Sequence, residues 1–183
     1  MSRSQPFSEP FSEPSVYSIG LCNPKSAVNV ASVLRAAGCY GASSVFYTGE
    51  RYRRAKEFNA DTKAMHKLIP TVGVEQLSEV VPKNATTVAI ELVEGAQPLP
   101  EFDHPANAFY VFGPEDGSLS QQDLSWCDKV VYIPTRGCMN LAATVNVVLY
   151  DRMAKSQYQA GDELIRASRD KNNRTRVEAV NDK

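Results

Sequence analysis

The stretch KVVYIPTRGCMNLAATVNVVLYDRMAKSQ, residues 129–157, changes period midway, and that change decides the fold class. KVVYIP at 129–134 is a short run of β-branched and aromatic residues ending at a proline, the composition of a strand. Beyond a loop of small residues, Asn140 is a good N-cap, and Leu141, Val145, Val148, Leu149 and Met153 recur at helical spacing. Ala142, Ala143 and Val147 widen that apolar stripe beyond what a solvated helix carries, so two partners are expected for this helix, the sheet and another subunit.

The same alternation runs outward through the chain. VYSIGL at 16–21, SSVFYT at 43–48, TTVAIEL at 86–92 and AFYVFG at 108–113 read as further strands. Ala27–Ala37 reads as an amphipathic helix with Val30, Val33, Leu34 and Ala37 on one face and Gly38 as its stop. Short apolar runs alternating with helices predict an α/β fold, a mainly parallel sheet with flanking helices. Residues 1–14 repeat FSEP and carry Pro6, Pro10 and Pro14, as a disordered N-terminal arm would. Residues 15–158 form the expected domain, and 159–183, of mixed charge, an expected flexible tail.

With 183 residues and 43% hydrophobic content, one domain with one active site is expected. The net charge of −1 means that a nucleic acid would be held by a local basic patch and not by the field of the whole molecule. The N-terminus has no apolar signal region, and no run approaches the roughly 18 apolar residues of a spanning helix, so a cytoplasmic protein without membrane contact is expected. Cys22, Cys39, Cys127 and Cys138 form no C-x-x-C pair and the only histidines are His66 and His104, so neither a metal site nor a disulfide is expected.

Ligands of open parallel sheets bind beyond the C-terminal ends of strands. Three loops there combine small residues with placed polar groups: ELVEGAQPL at 91–99, FGPEDGSLS at 112–120 and IPTRGCMNLA at 133–142. No G-x-G-x-x-G follows the first strand, where GLCNPKS stands, which argues against a dinucleotide-binding dehydrogenase.

Three ordered motifs resemble the SpoU/TrmH branch of the SPOUT RNA methyltransferases. NVASVLRAA at 29–37 is similar to that family's N-x-G-x-x-x-R-x-A helix, FGPEDGSLS to its G-x-E-x-x-G-L turn, and IPTRGCMNLAATVNVVLYD to its closing IP…S-L-N-[VL]-[SA] helix. The resemblance spans about residues 15–158. It implies a C-terminal trefoil knot, S-adenosyl-L-methionine (SAM) as methyl donor, a homodimer, and methyl transfer to a ribose 2′-hydroxyl of tRNA or rRNA.

The resemblance also assigns residues. Arg35 matches the catalytic arginine; guanidinium stays protonated in proteins, so it is read as a cation that grips the phosphate beside the target and lowers the hydroxyl pKa. Asn29 lies six residues earlier, about 120° away around a helix, and either orders the knot loops or meets substrate, or caps locally. Glu115 matches the motif-two glutamate, which can hold loop N–H groups and orient the arginine; its bland alternative is a helix-start carboxylate. Asn140 matches an active-site asparagine and is also an N-cap. Leu92, Gly95, Phe112, Gly113, Glu115, Ile133, Cys138, Met139 and Leu141 fall where the family cradles the cofactor.

Three positions depart from the pattern: Ala31 for Gly, Ser118 for Gly, and Cys138 for Ser. A thiol donates hydrogen bonds poorly, so an RNA-binding relative with weak or no turnover is the alternative expectation. RYRRAKEFNADTKAMHK at 51–67 concentrates Arg51, Arg53, Arg54, Lys56, Lys63 and Lys67 among Tyr52 and Phe58, which suits phosphate neutralisation and base stacking on RNA.

Overall fold

The computed structural model describes residues 16–57, 69–158 and 160–177. Among these, seven strands form one sheet: β1 (Tyr17–Leu21), β2 (Ser44–Tyr47), β3 (Thr71–Gly73), β4 (Thr86–Ile90), β5 (Gln97–Pro98), β6 (Ala108–Phe112) and β7 (Lys129–Tyr132). Their order is β3-β2-β1-β6-β4-β7-β5, and every neighbouring pair is parallel. The expected α/β architecture is therefore present, with β3 and β5 added at the two edges.

All five residues of β1 and of β6 are buried, as expected of strands covered on both faces. Along β6 the side chains alternate: Tyr110 and Phe112 join the larger core, while Phe109 and Val111 join a second cluster with Leu77, Ala89 and Leu119 on the opposite face. The larger core is closed by α1 (Ala27–Tyr40) and α4 (Leu141–Ala154), which pack against each other. Val30, Val33 and Leu34 of α1 are fully buried, each stabilising the fold by about 1.5–3 kcal/mol through removal from water. The remaining helices are short: α2 (Glu50–Glu57), α3 (Gln121–Ser125) and α5 (Asp162–Ser168).

The strands begin or end within one or two residues of the sequence reading, while the end of the first helix and the tail differ from it more. The first helix passes through Gly38 and ends at Gly41, whose φ of 80° supplies the left-handed cap and whose N–H bonds to the Ala37 carbonyl. Gly41 is the stop because it adopts that conformation, whereas Gly38 serves only as a helical position. The 159–183 segment holds α5, none of whose residues is buried. The 1–14 arm, Lys63 and Lys67 lie outside the described residues. No helix among the described residues is long and apolar enough to cross a membrane.

The end of α4 is locked by a buried polar cluster. The Arg152 guanidinium donates to the Pro105 carbonyl (2.7 Å), the Ala106 carbonyl (2.7 Å) and the Tyr110 hydroxyl (3.0 Å), and lies 4.5 Å over the Tyr17 ring. His104 bridges the Tyr110 hydroxyl (2.6 Å) and Asp151 (2.9 Å), and Lys155 reaches both Asp151 and the Leu99 carbonyl. Burial lowers the His104 pKa against the opposing pull of Asp151, so the imidazole is held neutral. With its end fixed in this way, α4 presents its first turn to the opposite edge of the sheet.

Candidate active site

Strands β1, β4, β6 and β7 run parallel, so the loops leaving them gather at one edge of the sheet. A cavity of about 430 Å³ opens there. Ile90, Glu91 and Leu92 line it from the end of β4, Phe112, Gly113, Pro114, Glu115, Gly117 and Ser118 from the loop after β6, and Ile133, Thr135, Cys138 and Met139 from the loop after β7. Leu141 and Thr144, on the first turn of α4, complete the lining.

A carboxylate and two amides join these loops to α1. Glu115 accepts from the Lys25 N–H (2.7 Å), the Ser26 N–H (3.0 Å) and the Asn29 side-chain amide (3.1 Å). Asn140 Nδ2 in turn donates to Asn29 Oδ1 (3.0 Å), while Asn140 Oδ1 caps α4 through the N–H groups of Ala142 (2.9 Å) and Ala143 (3.4 Å). Burial raises the Glu115 carboxyl, but the donated N–H bonds outweigh it and hold its pKa below the ordinary value. The carboxylate is thus ionised and pinned in place.

The structure also separates the alternatives left by the sequence. Asn29 is not the cap of α1: Ser26 is, accepting from the Asn29 N–H, which leaves the Asn29 side chain to span Glu115 and Asn140. Glu115 is not the start of the next helix either, because Ser120 and Asp123 form a capping box there. Asn140 combines its cap with a tie to Asn29.

Of the residues matched to cofactor binding, Leu92, Phe112, Gly113, Glu115, Ile133, Cys138, Met139 and Leu141 line the cavity, and Gly95 does not. Gly95 occupies a left-handed turn beyond Leu92. Arg35 is exposed on α1, outside the lining, with no hydrogen bond or ion pair among the described residues.

The basic residues divide. Arg51 bonds to Asp116 Oδ1 (2.8 Å) and Oδ2 (2.9 Å) and to Asn23; Arg53 pairs with Glu50; Arg54 is exposed and has no partner among the described residues. Lys56 lies on α2.

One lining carboxylate went unread in the sequence. Glu91 Oε1 accepts from the Leu92 N–H (3.0 Å) and Oε2 from the Leu119 N–H (2.7 Å), tying the loop after β4 to the loop after β6. Its signal was positional: an acidic residue directly after an apolar strand, at the end where ligands bind. Among the described residues no group of three His, Cys, Asp or Glu could hold a metal ion. Burial pushes the thiols of Cys22 and Cys127 up to about 12, which leaves them protonated and unreactive at neutral pH.

The fold is shared with solved structures of SpoU and TrmH methyltransferases. The A. aeolicus TrmH/SpoU tRNA modifying enzyme aligns with a TM-score of 0.67 at 21% identity, covering 77% of this chain and 75% of its own. The SpoU methyltransferase AviRb from Streptomyces viridochromogenes, solved in complex with AdoMet, aligns at 0.64 and 21% identity, covering 77% of this chain and 58% of its own. A structure described as giving insights into 2-OH methylation of C/U34 on tRNA aligns at 0.63 and 21% identity, covering 79% of this chain and 93% of its own. This chain therefore spans well under two thirds of AviRb and nearly all of the tRNA-methylation structure. No curated protein matches by sequence.

The model of the SpoU rRNA Methylase family matches residues 17–150. The protein belongs to that family of RNA methyltransferases.

Proposed function

We propose that the protein transfers a methyl group from SAM to a ribose 2′-hydroxyl of tRNA or rRNA, as a homodimer. The observation that carries this reading is the chain Glu115–Asn29–Asn140, which ties α1, the loop after β6 and the start of α4 around one cavity. These are the residues that the family resemblance assigns to the site.

The cavity suits the cofactor. Its volume lies within the roughly 300–1,000 Å³ of small-molecule sites. Ile133, Met139 and Leu141 offer apolar surface to a flat ring, and Glu91 and Glu115 place negative charge on the lining, which favours a sulfonium cation. Bound there, SAM would supply an activated methyl group for in-line displacement. Glu115, Asn29 and Asn140 hold the loops so that the approach is fixed. Arg35, an exposed guanidinium about 9 Å along α1 from Asn29, takes the RNA phosphate and acidifies the neighbouring hydroxyl in this reading, which its exposure supports. Arg54 adds phosphate neutralisation on α2. For the dimer, α4 leaves Ala143, Asn146 and Tyr150 exposed on the face turned away from the core.

The test is transfer of labelled methyl from SAM to bulk tRNA and rRNA, followed by digestion and mass spectrometry of the nucleosides. A 2′-O-methyl nucleoside is the expected product. Label on a base would overturn the ribose assignment, and no transfer to either RNA pool would favour the RNA-binding alternative raised by Cys138 and Ser118.

A further inference from the structure

We propose that Arg51 is a positioning residue for the cofactor cavity and not a phosphate ligand: through Asp116 it holds the cavity wall against the loop after β1. The inference rests on the reading of the cavity as a SAM site. It reassigns a residue whose sequence context, a basic helix, points to RNA.

Every nitrogen of the Arg51 guanidinium is engaged inside the protein. Nε donates to the Asn23 carbonyl (3.1 Å) and to Asn23 Oδ1 (3.2 Å), Nη1 donates to both oxygens of Asp116, and Nη2 donates to the Asn23 carbonyl. Lys25 Nζ reaches the same carboxylate at 3.4 Å. An exposed ion pair alone contributes little, but this one is set on a backbone shaped to receive it. Asn23 takes a positive φ of 44°, costly for a residue other than glycine, and its N–H donates to Thr48 Oγ1 (3.0 Å). Gly49 makes room for it, since a Cβ there would lie 2.3 Å from Asn23 Oδ1.

Asp116 is the neighbour of Glu115, and the two carboxylates grip the same loop in different ways. Glu115 takes its backbone N–H groups, and Asp116 takes the cations above it. Releasing Asp116 frees the 114–118 segment on one side, and with it the cavity wall formed by Pro114, Glu115, Gly117 and Ser118. An RNA phosphate could take the Nη1 N–H groups of Arg51 only by displacing Asp116. Arg54, on the same helix and without a described partner, needs no such exchange.

The experiment is calorimetric titration of SAM into the full chain, wild type and variants, alongside the salt dependence of bulk tRNA binding. Arg51→Ala and Asp116→Asn should each weaken SAM binding about five-fold or more, the scale of coupling between neighbouring sites. The double variant should be weaker than the wild type by less than the two single losses combined, because the Arg51–Asp116 contact is lost in each. Arg51→Lys should recover only part of the affinity, since a point charge cannot serve Asp116 and Asn23 together. The tRNA salt slope should be unchanged in Arg51→Ala and shallower in Arg54→Ala. A reduced slope in Arg51→Ala with unaltered SAM affinity would overturn the inference. Should Arg51→Ala fail to fold, Asp116→Asn breaks the same contact without touching α2, and unaltered SAM affinity there counts equally against it. A wild-type chain that takes up no SAM would remove the cofactor reading itself; a wild type that binds while Asp116→Asn binds equally well removes only the role of Arg51.

Discussion

At the start of α4, Asn140 divides its side chain between Asn29 and two helix N–H groups beside an open cavity; at the end of the same helix, Arg152 is 7% exposed and donates to two carbonyls and a tyrosine. Both clusters join α4 to distant parts of the chain by polar contacts. They differ in surroundings. The Arg152 cluster sits against Tyr17 and Tyr110 in the core, and its His104 side chain is only 4% exposed. The Asn140 cluster reaches a cavity through Glu115, its one member in the lining, beside Leu92, Cys138 and Ser118, which solvent reaches. A buried polar network that is satisfied internally holds a fold in one arrangement, whereas one that borders a cavity is available to a ligand.

That contrast breaks most visibly at Arg35, on the helix shared by the open cluster. Arg35→Ala should remove turnover by about 10²-fold or more while leaving folding and SAM binding nearly intact, and Arg35→Lys should rescue little. Near-wild-type methylation by the alanine variant, measured with labelled SAM, would return Arg35 to an ordinary helix surface.

The closed cluster should show the reverse behaviour. Arg152→Ala should cost about 3 kcal/mol of stability, because it strands the buried Tyr110 hydroxyl and the part-buried carbonyls of Pro105 and Ala106. Denaturant midpoints would read that loss. SAM affinity of the variant that remains folded should be unchanged, and a ten-fold loss of affinity would contradict the separation of the two ends.

Acid should sharpen the comparison further. His104 has a lowered pKa in the fold, so its contribution to stability is present above the ordinary value of about 6.5 and is lost as pH falls from there through the folded value. Glu115 is also held low, so its contribution is present above the ordinary carboxylate range and lost as pH falls through its folded value, in more acidic solution. His104→Gln should flatten the first limb, which has a maximum slope of about 1.4 kcal/mol per pH unit, and Glu115→Gln only the second. Stability curves of the two variants that flatten in the same window would show the clusters to be one unit. The smallest effect belongs to Arg53→Ala and Arg54→Ala, each of which should reduce the tRNA salt slope by about one unit or less.

How much of this was legible in sequence follows from where the physics is local. β1, β2, β4, β6 and β7 announce themselves by β-branched and aromatic runs, of which β1, β4 and β6 are buried almost throughout and β2 and β7 only in part. β3 and β5 do not, because strands of three and two residues at sheet edges carry no period. The helix after Asn140 was legible from its cap and stripe. The end of α1 was misplaced because composition cannot say which of Gly38 and Gly41 adopts a positive φ.

The motifs name Asn29, Glu115 and Asn140 one by one, and the structure brings the three side chains together. Their mutual hydrogen bonds join residues up to 111 positions apart and have no local signature. Arg51 shows the same limit from the other side. Its basic neighbours suggest RNA, and only the approach of Asp116, 65 residues away, shows what the guanidinium holds.

The central claim is that the open cluster borders a SAM site, and a crystal structure of the protein with S-adenosylhomocysteine tests it most directly. The account predicts the ligand in the cavity between the loops after β4, β6 and β7, with its ring against Ile133, Met139 and Leu141 and the Glu115–Asn29–Asn140 bonds intact. Ligand bound away from these loops, or a cavity left empty at saturating ligand, would contradict it.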